Sequence, residues 1–297
     1  MNYKSWAGAW AAIPTPFMAN GDVDFDALVR HLEFLCAHDI DGIVACATTG
    51  EAATMTDEEK SAVLETTMNT VAGRVPVIAG VGTNDTRTTL HNARRAKDCG
   101  VDGLLVVTPY YNKPNQEGQY RHFMTVADQI DLPQIIYNVP GRTGTRCFPE
   151  TLGRLARHPN IVGVKDATAD MLIASKTHIE CADFLMFSGD DGTTLPFIAL
   201  GGVGAISVVA NIAPKLMHDI ILNTRAGNLE LARQDHERML PLFSALFSDT
   251  SPIPVKAMLS RSKLNYPGTL RSPLFEMDRE AVDRLCAPFV SFIEAVE

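Results

Sequence analysis

Nothing in this 297-residue chain pairs its cysteines or its histidines. The six cysteines, Cys36, Cys46, Cys99, Cys147, Cys181 and Cys286, stand singly and mostly inside apolar stretches, with no Cys-x-x-Cys among them. That spacing argues against a zinc site and a disulfide framework; it is the pattern of reduced core thiols in a cytoplasmic protein. The eight histidines are equally dispersed, with no His-x-x-x-His or His-Glu-x-x-His run, so no metal is expected. Positive charge is also short: 26 Lys and Arg against 35 Asp and Glu leave a formal net charge of −9. A dedicated binder of nucleic acid or of an anionic membrane would show a basic patch, so neither partner is expected. No apolar run is long enough to span a bilayer. The apolar stretch from Trp6 to Phe17 is interrupted by Pro14 and Pro16, which argues against a secretory leader.

What is present is ordinary globular material, 46% hydrophobic and 21% charged, enough to bury a sizeable core. At about 150 residues per domain the length suits two average domains or one barrel with an appendage. Eight short, apolar, β-rich runs recur, over residues 8–16, 42–49, 75–82, 103–111, 133–140, 161–168, 184–190 and 204–211. Helical patterns fill the gaps. Phe25, Leu28, Val29, Leu32, Leu35 and Cys36 follow helical spacing, Thr56 with Glu59 forms a capping box, and Pro149 suits a first helical position. Gly73 and Gly100 fall where helices should stop. Eight strands alternating with helices, without a composition break, predict a (β/α)8 TIM barrel rather than an open doubly wound sheet. Strand signals cease after residue 211. Helices are expected over 214–226, 229–247, 253–262 and 279–296, giving a catalytic barrel over residues 1–227 and a small C-terminal helical region over 228–297.

Lys165 is the residue that points to chemistry. It closes the run Ile161-Val162-Gly163-Val164, and Tyr137 closes the apolar run one barrel unit earlier. An ammonium taken out of water is costly unless it is paired or loses its proton, and a neutral lysine is a nucleophile that can form a Schiff base with a ketone. Taken alone, a strand-terminal lysine can equally snorkel to solvent. In a barrel the C-terminal ends of the strands form the active face. There the chain places Thr48-Thr49-Gly50-Glu51, Thr108-Pro109-Tyr110-Tyr111, Tyr137 with Arg142, Lys165-Asp166, Ser188-Gly189-Asp190-Asp191 and Ser207, a polar ring around one lysine. Gly201-Gly202-Val203-Gly204 looks like a phosphate loop but precedes its strand, so a tight αβ turn is expected there. Asp190 and Asp191 are read as an N-cap for the next helix rather than as an acid or metal pair, and Glu51 as structural.

Thr48-Thr49-Gly50-Glu51, Tyr137-Asn138-Val139-Pro140 and Gly163-Val164-Lys165-Asp166-Ala167-Thr168 resemble the signatures of the class I pyruvate-dependent aldolases grouped with dihydrodipicolinate synthase and N-acetylneuraminate lyase. The likeness covers nearly the whole chain, including the Thr-Pro-Tyr-Tyr-Asn stretch and Pro252-Ile253-Pro254-Val255-Lys256. It implies that Lys165 forms a Schiff base with pyruvate, without a separate cofactor. It implies a proton relay of Tyr137, Thr48 and Tyr111, the last reaching into a neighbouring subunit of a homotetramer built as a dimer of tight dimers. Thr49, with the backbone amides of Thr48 and Thr49, would hold the pyruvate carboxylate. Gly189 and Ile206 would line the pocket through their carbonyls. Gly141-Arg142-Thr143-Gly144 resembles the synthase branch, in which Arg142 would receive the carboxylate of L-aspartate 4-semialdehyde in the diaminopimelate route to lysine. Each residue has a plainer reading as well: Thr48 as a strand-end hydroxyl, Tyr111 as interface packing, Arg142 as a surface arginine.

The chain departs from the family pattern in having Ala47 before the Thr-Thr pair and Ala169 after Lys-Asp-Ala-Thr, where glycine is common. It also departs where lysine-inhibited relatives bind their effector. The corresponding positions hold Ala52, Asp57, Lys60 and Thr88, although Ala53, Asn84 and Tyr110 match, so feedback inhibition by lysine is expected to be weak or absent. Two other readings remain open at this point: a sister aldolase acting on N-acetylneuraminate or a 2-keto-3-deoxy sugar acid, and a catalytically silent barrel that binds pyruvate-like ligands.

Overall fold

All eight apolar runs form strands: β1 Gly8–Ala12, β2 Gly42–Ala45, β3 Val77–Gly80, β4 Gly103–Val107, β5 Gln134–Asn138, β6 Ile161–Asp166, β7 Leu185–Ser188 and β8 Gly204–Ser207. They pair in parallel and in chain order, β8 closing onto β1, in a computed structural model that describes residues 3–297. Each strand starts within two residues of its run and ends two to four residues before it does, and the tails become the loops of the C-terminal face.

Alternation along the strands builds two cores. Trp10, Ala12, Ile135, Tyr137, Leu185, Phe187 and Ile206 form one cluster, and the residues between them, such as Ala9, Ala11, Ile136 and Met186, join the larger one with the helices. Period-two alternation in a closed sheet means that the first cluster fills the barrel and the second lies between strands and helices. Gly42 is required by this filling, since a Cβ there would lie 2.3 Å from the Trp10 ring.

The barrel helices are α1 Phe25–Ala37, α2 Asp57–Val71, α3 Thr86–Asp98, α4 Gln116–Gln129, the single turn α5 Pro140–Thr143, α6 Pro149–Leu155, α7 Met171–Glu180, α8 Thr194–Ala199 and α9 Pro214–Arg225. Side-chain caps start many of them: Asp24 accepts from the Ala27 amide, Asp85 from Thr88 and Asn115 from Gly118, while Thr56 and Glu59 complete the expected capping box. Each such cap is worth about 1 kcal/mol. Beyond the barrel come α10 Leu229–Leu246, α11 Ile253–Leu259, α12 Arg279–Cys286 and α13 Val290–Glu294, with α10 packed on α9 and α8. The helix expected over 279–296 is therefore broken. Pro288 lies in the 3-10 turn Ala287–Phe289 between α12 and α13, where its missing amide proton interrupts the α-helical ladder. Among the described residues no helix is long and apolar enough to cross a membrane.

Candidate active site

Lys165 and Tyr137 are Cα partners across β5 and β6, and both point into the barrel. Lys165 is 5% exposed, and its Nζ lies 4.3 Å from the centroid of the Tyr137 ring. Burial pushes the lysine pKa down to about 8; the Asp191 carboxylate opposes that shift and the Arg142 guanidinium adds to it. No carboxylate forms an ion pair with Lys165 among the described residues. An appreciable fraction of Nζ is thus a free amine near neutral pH. Tyr137 is shifted the other way. Burial raises its phenol pKa against the opposing effects of Arg142 and of a hydrogen bond with the Thr48 side chain, so the phenol keeps its proton.

Thr48 and Thr49 lie on the loop after β2, which turns back at Glu51 in a left-handed conformation with φ 53°. The loop is held from several sides: the Glu51 amide donates to the Thr48 carbonyl at 3.1 Å, and the Thr15 hydroxyl donates to the Gly50 carbonyl at 2.8 Å. Behind it the Glu51 carboxylate is wholly enclosed. One oxygen accepts from Lys256 Nζ at 2.6 Å and the other from the Arg271 amide at 3.0 Å, while the Arg271 guanidinium clasps Glu59 and reaches the Thr54 carbonyl at 2.9 Å. The C-terminal residues thus brace the loop that carries the two threonines.

Gly189, just beyond β7, is sterically tied to the lysine. A Cβ at this position would lie 2.8 Å from the Ala167 Cβ and 3.1 Å from Lys165 Cε, so any side chain would press on the stem of the amine. Arg142 sits on the single turn α5, where its Nη2 donates to the Ser251 carbonyl at 3.1 Å. One narrow cavity joins Thr48, Thr49, Tyr137, Arg142, Lys165 and Gly189, with Ala47, Val208, Phe247 and Ser251 on its walls. A roomier cavity of about 370 Å³ opens at the opposite, N-terminal end of the strands between Tyr3, His158 and Phe184, and none of the expected site residues lines it.

The side chains of two expected residues do not line this cavity. Tyr111 is 88% exposed on the loop after β4, with φ 69°, and does not reach the cavity of its own chain. The Ile206 side chain is buried in the inner cluster beneath the cavity, so only its backbone carbonyl is left for the role expected of it, and Val208 lines the wall.

A profile of the dihydrodipicolinate synthetase family matches residues 5–288. The 4-hydroxy-tetrahydrodipicolinate synthase of Trichlorobacter lovleyi is 48% identical over 254 residues, covering 85% of this chain and 87% of the relative. Among solved structures, dihydrodipicolinate synthase from Aquifex aeolicus superposes with a TM-score of 0.93 at 40% identity, covering 96% of this chain and 98% of that one. A dihydrodipicolinate synthase variant described as monomeric superposes with a TM-score of 0.94 at 38% identity, covering 98% of each chain. The chain belongs to the dihydrodipicolinate synthetase family.

In this family member three features of the cavity and its supports escaped the sequence reading. Asp190 does cap, accepting from the Thr193 amide at 2.9 Å, but Asp191 does not. Asp191 is buried beneath the end of β8, where one carboxylate oxygen accepts from the Val208 and Val209 amides at 3.1 and 3.0 Å; burial raises its pKa to about 6 against a bond from Ser207. It is the carboxylate whose field acts on Lys165. Phe247 and Ser251 come from the connection between α10 and α11, far along the chain, and carry no local motif. Lys256 is the third: its buried pairing with Glu51 confirms the structural reading of that glutamate and names its partner.

Proposed function

We propose that this chain is a Schiff-base-forming lyase that condenses pyruvate with L-aspartate 4-semialdehyde to 4-hydroxy-tetrahydrodipicolinate, in the diaminopimelate route of lysine biosynthesis. The observation that carries the reading is a buried, unpaired lysine held over a protonated phenol at the C-terminal mouth of a barrel of this family. The free amine of Lys165 attacks the pyruvate ketone carbon to give a carbinolamine, and the oxygen leaves as water when protonated, forming the imine. Loss of a methyl proton yields the enamine, whose terminal carbon adds to the aldehyde carbon. The substrate's own amino group then displaces Lys165 from the former ketone carbon, closing the ring and freeing the enzyme. No external cofactor enters any step.

Each step moves a proton, and a phenol bonded to a hydroxyl can give and take it in turn. Tyr137 and Thr48 have these roles, with Tyr111 completing the relay from a neighbouring subunit of a homotetramer arranged as a dimer of dimers. The exposure of Tyr111 on the single chain supports that assignment. Thr49 holds the pyruvate carboxylate, Gly189 and Ile206 face the adduct through their carbonyls, and Arg142 pairs with the carboxylate of the aldehyde. The dispersed, unpaired cysteines support a cytoplasmic setting.

A coupled assay offering aspartate semialdehyde, N-acetylneuraminate and 2-keto-3-deoxygluconate tests the substrate. Turnover of the semialdehyde alone is expected, and preference for either sugar acid would overturn the assignment. In the same assay Arg142→Ala should raise the KM for the aldehyde roughly ten- to a hundredfold while leaving pyruvate adduct formation nearly intact.

A further inference from the structure

Ser251 stands where a second-substrate contact is needed and has nothing else to do with its side chain. The residue is 5% exposed, and its hydroxyl oxygen is buried without a hydrogen-bond partner among the described residues, although most buried polar side chains find one. Its backbone carbonyl, by contrast, is committed, accepting from Arg142 Nη2 at 3.1 Å across 109 residues of sequence. That bond sets the guanidinium against the same stretch of cavity wall, which Ser251 and Phe247 both line. One of the five guanidinium N–H groups is used in this way, leaving the others free among the described residues for a planar anion.

We propose that the Ser251 hydroxyl is a specificity-determining donor that binds, together with Arg142, the carboxylate of the aldehyde substrate. The inference rests on the function proposed above and extends it to a residue of the α10–α11 connection. The ligand group follows from charge. A guanidinium beside the hydroxyl repels an ammonium and attracts a carboxylate, and a serine O–H adds one donor to the fork that arginine presents. Phe247 supplies an apolar flank to the same wall.

Steady-state kinetics on Ser251→Ala, with aspartate semialdehyde and pyruvate varied separately, test the assignment. The KM for the aldehyde should rise roughly ten- to a hundredfold, as expected for a lost hydrogen bond to a charged group. Borohydride trapping of pyruvate on Lys165 should proceed at the wild-type rate. Ser251→Cys, close in shape but a weak donor, should show a smaller rise in the same parameter and serves if the alanine variant folds poorly. Combined with Arg142→Ala, Ser251→Ala should cost less than the two single effects multiplied, because both residues hold one group. An unchanged aldehyde KM in both serine variants, or an equal loss of pyruvate trapping, would overturn the proposal. Wild-type protein that traps pyruvate but does not turn over aspartate semialdehyde would instead sink the function on which it rests.

Discussion

Among the described residues two lysines are buried, and their surroundings differ. Lys165 and Lys256 are 5% and 0% exposed, each lies over an aromatic ring at 4.3 and 4.4 Å, and burial lowers the pKa of each to about 8. Lys256, however, meets the Glu51 carboxylate at 2.6 Å inside the protein. Lys165 has only the more distant field of Asp191, opens on a cavity and faces a protonated phenol. Burial alone does not make a nucleophile. An enclosed lysine whose charge is answered by a carboxylate becomes a brace, and one left unanswered beside a cavity becomes reactive.

Removing each amine separates the two roles. Lys165→Met should abolish turnover and borohydride-trappable adduct, since no other group replaces covalent catalysis. The same variant should be more stable than the wild type at neutral pH. Below pH 8 the folded protein carries a buried, unpaired ammonium that the unfolded chain hydrates freely, a cost of about 1 to 3 kcal/mol that fades as pH rises from about 8 towards 10.5. Urea unfolding at pH 7 and pH 10 reads this, and a loss of stability at pH 7 would contradict it. Lys256→Met should do the reverse, costing about 3 to 5 kcal/mol by leaving the enclosed Glu51 carboxyl without its partner. Adding Glu51→Gln should recover part of that loss; if the double variant is less stable than Lys256→Met alone, the pair is not the brace described.

The smallest expected effect lies on the surface, where the same pairing logic applies. Asp57 is engaged by His91 at 2.8 Å and by Lys60 at 3.8 Å, and the Thr88 hydroxyl donates to Asp85 at 2.6 Å. No glutamate stands at position 88 to receive a free lysine's ammonium, and Asp57 and Asp85 are already engaged within the chain. Activity at fixed substrate concentrations should therefore change little when L-lysine is titrated to the millimolar range. Clear inhibition at submillimolar lysine would show that an altered effector site survives.

The barrel was legible because parallel strands buried on both faces read as continuous apolar runs, and all eight became strands. Their ends were not. Cys46, Glu51 and Tyr111 take positive φ without being glycine, so nothing local marks where the ladder stops and the loops begin. Lys165 and Tyr137 stood out because each is a polar group closing an apolar run. Asp191, Ser251 and Lys256 gain their meaning from residues far away in sequence, such as Lys165, Arg142 and Glu51, and no spacing rule connects them. Asp190 and Asp191 show the limit plainly. Adjacent and chemically identical, one caps a turn and the other acts on the reactive amine, and only the fold separates them.

The most direct test of the central claim is to trap labelled pyruvate with borohydride across a pH series and map the label by peptide. A single pyruvate-derived mass should appear per chain, on Lys165 and not on Lys256, with a trapping rate that climbs through about pH 8 as the free amine accumulates. Label on Lys256, or a rate on Lys165 that stays flat from pH 6 to pH 10, would contradict the account.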